Sequence, residues 1–224
     1  MNPQDLDFDK DGAMFYRAVF SSAEIERLRN EVEPAIAGRP GKRLRDGTWV
    51  KKVANGKLLQ ITRRLIGSAV RPVRAVIFDK TPDTNWSVGW HQDRTISVRD
   101  RVEVEGFGPW SVKDGLLHVE PPVAILEGMV TVRLHLDDCA ADNAPLKVAL
   151  GSHRLGRVAA DKVADIASDL PLYHCQAQAG DVWAYSTLIL HASERALSPK
   201  RRRVLQIDYA ATDLPGGLKW RGLD

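Results

Sequence analysis

Cysteine is scarce in this chain: Cys139 and Cys175 are the only two in 224 residues, and no Cys-x-x-Cys pair exists. That excludes a disulfide scaffold and a thiolate zinc site, so both residues are expected as free thiols without a role. Long apolar runs are missing too, none approaching the roughly 20 residues that cross a bilayer. The opening Met1-Asn2-Pro3-Gln4-Asp5 lacks the basic and apolar stretches of a secretory leader, so a cytoplasmic protein is expected. Gly-x-Gly-x-x-Gly, a phosphate-binding Gly-Lys-Ser/Thr loop and internal repeats are absent, which removes nucleotide folds and solenoids. Aromatics make up 7% of the chain, and 32 basic against 29 acidic residues leave a charge of only +3. Neither the basic groove nor the stacking surface of a nucleic-acid binder is there, and no nucleic-acid or membrane partner is expected. What remains is 44% apolar content, enough for a continuous core and for residues 1–224 as one domain.

The first third reads differently from the rest. Ser22-Ala23-Glu24-Ile25-Glu26 opens a helix in which Ile25, Leu28, Val32 and Ile36 recur at helical spacing, with Pro34 inside it. A second helix is expected over Lys57–Ile66, stopped by Gly67. Together they form a helical cover, about residues 1–70, on the outside of the larger sheet. From Pro72 the pattern changes to short strands bounded by Gly, Pro, Asn or Asp. These are Val73–Phe78, Trp86–His91, Leu116–Glu120, Val123–Leu126, Met129–Leu136, Leu146–Leu150, Leu172–Ala177 and Val182–Ser186, with a last strand from Arg202 and one helix around Ala160–Ala167. Such a series over about 71–212 predicts a mainly β fold, a double-stranded β-helix or cupin-like jelly roll. Arg94–Leu116 reads as a long polar loop, a candidate substrate lid, with Trp110 as pocket wall and possible cofactor contact.

Chemistry concentrates in His91-Gln92-Asp93, in His191, and in the basic run Lys200-Arg201-Arg202-Arg203. Two imidazoles and one carboxylate on one face of a metal, with other positions open, are the ligand set of non-haem Fe(II) oxygenases. A downstream arginine suits the far carboxylate of a chelating co-substrate such as 2-oxoglutarate. A chain with six histidines and 29 acidic residues produces such pairs readily, and His135-Leu136-Asp137 is a second one. Topology separates them. A jelly roll needs roughly five strands between the paired ligands and the lone histidine, and the interval from His135 to His191 is too short to hold them. His91 and Asp93 are therefore preferred, and His135 is assigned to a strand interior.

Strand phase selects the arginine. Val204, Gln206, Asp208 and Ala210 share a face with Arg202, while Arg203, Leu205, Ile207 and Tyr209 share the other. The Leu/Ile/Tyr face should pack outward against a second layer, and the polar face should line the barrel mouth with Gln206 and Asp208 as pocket groups. Arg201 and Arg203 are expected as a solvated charge run.

Four stretches resemble the phytanoyl-CoA dioxygenase-like Fe(II)/2-oxoglutarate oxygenases: Phe78-Asp79-Lys80-Thr81, Gly89-Trp90-His91-Gln92-Asp93, Asn143-Ala144-Pro145-Leu146 running into Gly151-Ser152-His153-Arg154-Leu155-Gly156, and His191-Ala192-Ser193. The resemblance covers roughly residues 70–212. It implies His91, Asp93 and His191 as iron ligands, with 2-oxoglutarate and O2 as co-substrates. The family's 2-oxoglutarate arginine stands eleven residues after the distal histidine, at Arg202 here; Ser193 would assist it, with Gln92 and Lys80 as lesser contacts. His153 is implied as a loop organiser. Asn143-Ala144-Pro145 departs from the usual Asn-Gly-Pro, which bears on turn type and on no ligand. Halogenating relatives lack the carboxylate, so Asp93 points to hydroxylation, desaturation or ring closure. A small-molecule substrate is implied, and Arg94, Arg99 and Arg101 near the lid would suit an anionic one. A non-catalytic cupin-type binder and an alkylated nucleic-acid demethylase are the alternatives.

Overall fold

A computed structural model of the protein describes residues 2–36, 38–45 and 47–223. Two antiparallel sheets face each other as a jelly roll. In chain order the strands are β1 (Ala13–Tyr16), β2 (Gly41–Leu44), β3 (Arg71–Lys80), β4 (Val88–His91), β5 (Ile96–Ser97), β6 (Trp110–Lys113), β7 (Leu116–Val119), β8 (Met129–His135), β9 (Leu146–Ala149), β10 (Leu172–Cys175), β11 (Val182–Ser186), β12 (His191–Ser193) and β13 (Arg202–Ala210). The major sheet runs β1-β11-β8-β13-β3-β2 and the minor sheet β10-β9-β12-β4. The amino-terminal cover thus contributes more than helices, since β1 and β2 extend the major sheet at its two edges.

The main hydrophobic core lies on the outer side of the major sheet. Val130, Val132 and Leu134 of β8 and Leu205, Ile207 and Tyr209 of β13 pack against Ile25, Leu28, Val32 and Ile36 of helix α1 (Ser22–Ile36) and Leu58, Leu59 and Ile61 of helix α2 (Lys57–Ile66). The alternation predicted for β13 is therefore the observed one. Tyr209 adds a polar tether, its hydroxyl donating to the Ala54 carbonyl at 2.8 Å. The cap of α1 is Ser21, one residue earlier than the sequence pattern suggests. Its backbone N–H donates to Glu24 at 2.8 Å, and the Glu24 N–H donates back to its hydroxyl at 3.3 Å, a reciprocal capping box.

Two segments differ from expectation. Val123–Glu127 is a single helical turn rather than a strand. Pro122 fixes the entry to that turn and its carbonyl accepts from the Ile125 N–H at 3.0 Å; four apolar residues carry no period that separates strand from helix. The 94–116 segment is not an open loop, because β5 and β6 pair with β7 as a third sheet. Its Ile96, Val98 and Phe107 pack with Leu214, Leu218 and Trp220 of the carboxy-terminal tail, so apolar anchors spaced too widely to show a period hold it down.

His118 sits fully buried in that small sheet. Its Nδ1–H donates to the Leu116 carbonyl at 2.9 Å and Nε2 has no partner. Burial pushes its pKa down to about 4, against the raising effect of the Leu116 bond and with Arg74 and Arg43 lowering it further. The unfolded chain therefore binds a proton that the fold refuses between about pH 6.5 and 4. Stability present above 6.5 is lost as the pH falls through that window. His118→Leu is expected to flatten the acid limb of a stability profile by on the order of 3 kcal/mol, and an unchanged slope in denaturant melts from pH 7 to 4 would refute this.

Candidate metal centre

His91 ends β4 and His191 begins β12, and the two are direct partners across the antiparallel pair. Their ring centroids are 4.2 Å apart at 55°. Pairing then shifts, Ser193 lying opposite Val88, a bulge of the kind that re-aims side chains at a sheet edge. Asp93, two residues past the strand end, brings its carboxylate into the group, and the ligand atoms of His91, Asp93 and His191 lie within 4.8 Å of one another.

Both histidines are already in the ligating tautomer. The Nδ1–H of His91 donates to the Gly89 carbonyl at 2.8 Å, and that of His191 donates to the Ile189 carbonyl at 2.9 Å. A carbonyl only accepts, so each proton is on Nδ1 and each Nε2 lone pair is free for a metal. His191 is buried, and this together with the neighbouring His91 lowers its pKa to about 4 against the raising effect of Asp93. Burial alone would raise the Asp93 carboxyl, but Arg74 and then the two imidazoles hold it below the usual carboxylate range. Two imidazole nitrogens and one carboxylate oxygen fit a divalent iron.

Behind Asp93 stands a built support. Gln206 Nε2 approaches its Oδ2 at 3.4 Å and Arg74 Nη2 at 3.6 Å. Arg74 Nε is ion-paired to Asp208, whose other oxygen accepts from the Thr131 hydroxyl at 3.1 Å. Burial pushes Asp208 up, with Arg74 opposing.

In front of the ligands opens a cavity of about 210 Å³ walled by Phe78, Trp86, Val88, Leu146, Arg133 and Arg202, among others. At one end Lys80 Nζ donates to Ser193 Oγ at 3.0 Å and to the Trp86 carbonyl at 2.7 Å. Arg202, directly opposite Lys80 in the β3–β13 pairing, donates from Nη1 to the Ala144 carbonyl at 2.5 Å. Ala144 holds φ at 51°, so the alanine that replaces the family's glycine keeps the left-handed turn, at a cost of about 1 kcal/mol.

Not every sequence candidate joins the site. Gln92 points away from the cavity: its Nε2 donates to the carbonyls of Gly156 and Leu188 and its Oε1 accepts from Val158 N–H at 2.9 Å. It staples the Gly151–Gly156 loop to the chain leading into His191. Ser152 does similar work, accepting from Leu190 N–H at 2.8 Å, so the organiser of that loop is Ser152 more than His153. Trp110 lies in the small sheet under the Arg101 guanidinium, outside the cavity wall. Arg94 is spent on the Val158 carbonyl and Arg101 on Glu103. Arg203 is not solvated but buried on Asp137, whereas Arg201 is exposed as expected and pairs with Asp79 and Glu33. Arg133 was missed, although Thr131, Arg133 and His135 form a polar period-two face in an otherwise apolar strand.

Iron held by this triad would retain open positions, and the chain is a Fe(II)- and 2-oxoglutarate-dependent oxidative enzyme acting on a small molecule. It belongs to the phytanoyl-CoA dioxygenase (PhyH) family, which its sequence matches over residues 8–204. Among curated proteins none matches. Solved structures with the same fold include AviO1 from Streptomyces viridochromogenes Tue57, at 20% identity and TM-score 0.67, covering 93% of this chain and 94% of that one. HygX from Streptomyces hygroscopicus with nickel and 2-oxoglutarate bound has 20% identity and TM-score 0.64, covering 92% and 84%. The non-heme alpha ketoglutarate dependent carbocyclase SnoK from nogalamycin biosynthesis has 16% identity and TM-score 0.70, covering 100% and 90%. Among the described residues no helix is long and apolar enough to cross a membrane.

Proposed function

We propose that the enzyme hydroxylates a C–H bond of a small metabolite, with residues 1–224 acting as one catalytic unit. The observation that carries this reading is Asp93 beside two imidazoles, in a cavity whose far end is an arginine. Iron with 2-oxoglutarate and O2, when bound, supplies the oxidising power for an unactivated C–H bond and releases succinate and CO2.

The chain's own residues do the rest. His91, Asp93 and His191 hold the metal. Arg202 anchors the distal carboxylate of 2-oxoglutarate as a charge-assisted donor, with Ser193 and Lys80 beside it. Burial, then Arg202 and Arg133, lower the Lys80 pKa to about 8, so an arriving carboxylate meets a cation below that pH and stabilises it. Gln206 and Arg74 keep Asp93 ionised and aimed. Phe78, Trp86, Val88 and Leu146 keep water from the reacting atoms. The carbocyclase SnoK and the epimerase SnoN share the fold, which favours ring closure or epimerisation as the second outcome for the same oxidised position. Two buried free thiols fit a reducing cytoplasm.

The test is oxygen-dependent succinate release by purified iron-loaded protein offered candidate small molecules. Arg202→Met should weaken 2-oxoglutarate binding by roughly 10-fold or more, since a hydrogen bond to a charged group is worth ~1.5–3 kcal/mol. Metal binding with no succinate from any candidate and unaltered 2-oxoglutarate affinity in the variant would favour a non-catalytic cupin-type binder.

A further inference from the structure

Buried arginines in the major sheet fall into two groups. Arg74 is paired with Asp208 and Arg203 with Asp137. Arg133 and Arg202 differ, being 7% and 3% exposed with no carboxylate partner among the described residues, and the Nε of each has no hydrogen-bond acceptor. Both line the same cavity. A guanidinium taken out of water without a counter-ion costs several kcal/mol, a cost that a ligand anion offsets on arrival. Arg202 has such an anion in the distal carboxylate of 2-oxoglutarate. Arg133 has none assigned.

The two guanidiniums stand at different levels of the cavity. Arg133 is opposite Gln206 in the β8–β13 pairing, four residues along β13 from Arg202, a backbone separation of roughly 13 Å at about 3.3 Å per residue. Its Nη1 donates to Gln206 Oε1 at 2.9 Å, and the amide nitrogen of Gln206 faces Asp93. The chain Arg133–Gln206–Asp93 therefore sets this cation beside the metal, whereas Arg202 sits with Lys80 and Ser193 at the far end. The Phe78 ring lies 5.3 Å from its guanidinium and fixes its plane.

Charge balance leads to the same place. The charged side chains on the cavity wall are Lys80, Arg133 and Arg202 against Asp93 alone. A divalent metal and the dianion of 2-oxoglutarate cancel, which leaves the surplus of cations as it was. We propose that Arg133 is the recognition site for a carboxylate on the substrate itself, which makes the substrate class a small organic acid or an amino-acid-like carboxylate. This rests on the oxygenase reading above, and it moves anion recognition from the Arg94, Arg99 and Arg101 segment to the barrel interior.

The test uses iron-loaded protein without oxygen, saturated with 2-oxoglutarate and titrated calorimetrically with propionate and with its uncharged isostere propionamide. Wild type should bind propionate at least tenfold more tightly than propionamide. Arg133→Gln should erase that preference while changing the 2-oxoglutarate Kd less than threefold, Arg133→Lys should keep part of it, and Arg202→Gln should show the reverse pattern. Equal binding of the two probes by wild type, or a tenfold loss of 2-oxoglutarate affinity in Arg133→Gln, would overturn the assignment. Failure of iron-loaded wild type to bind 2-oxoglutarate at all would instead remove the oxygenase reading on which it stands.

Discussion

His191→Ala is expected to leave a folded chain that no longer retains iron and forms no succinate. Loss of a group that merely orients a ligand lowers metal affinity by roughly 10–100-fold, and this change removes a ligand itself, so the fall should exceed that range. The ring lies buried across from His91 with its Nδ1 proton committed to Ile189, and among the described residues the triad is the sole cluster of its kind. No nearby side chain can take over. Metal content after dialysis, measured beside circular dichroism, checks the prediction. Stoichiometric iron in the variant would show that the ligands lie elsewhere.

Arg74→Met should cost about 3–5 kcal/mol of stability, the scale on which breaking one side of a buried ion pair falls. Asp208 is 1% exposed and would keep only the Thr131 hydroxyl and a long contact from Gln206 at 3.4 Å. Burial already pushes its carboxyl up, so without Arg74 it takes a proton. The double change Arg74→Met with Asp208→Leu should recover most of the lost stability, because a well-packed apolar pair often equals a buried ion pair. It should not recover iron affinity, since Asp93 has lost the cation that holds it ionised. Denaturant melts and iron titrations on both variants separate the two effects. A single variant as stable as wild type would mean that the pair is energetically idle.

How far the sequence reached depends on how each element announces itself. β13 was legible because polar and apolar residues alternate over its whole length, and one phase carries Arg202, Gln206 and Asp208 inward together. β8 has the same alternation, but Thr131 and His135 flank Arg133 inside a run that reads as apolar, so its inward cation went unseen. The ligand triad was legible through spacing along the chain, while the Nδ1 contacts to Gly89 and Ile189 that fix the tautomers arise only from folded backbone. Gln92 shows the opposite error. It stands between two ligands in sequence, yet successive residues leave an extended chain on opposite sides, so its neighbours enter the site and it does not. The 94–116 segment hid its order because β5 is two residues long and its packing partners, Leu214 to Trp220, are a hundred positions away.

The chief apolar layer lies between the helices and the outward side of the major sheet, and a second one, around Trp183, Tyr185, Leu146 and Val148, joins its inward side to the minor sheet. Positions 133, 135 and 204 belong to neither. A lineage can exchange them and reshape the substrate cavity while both apolar layers stay in place.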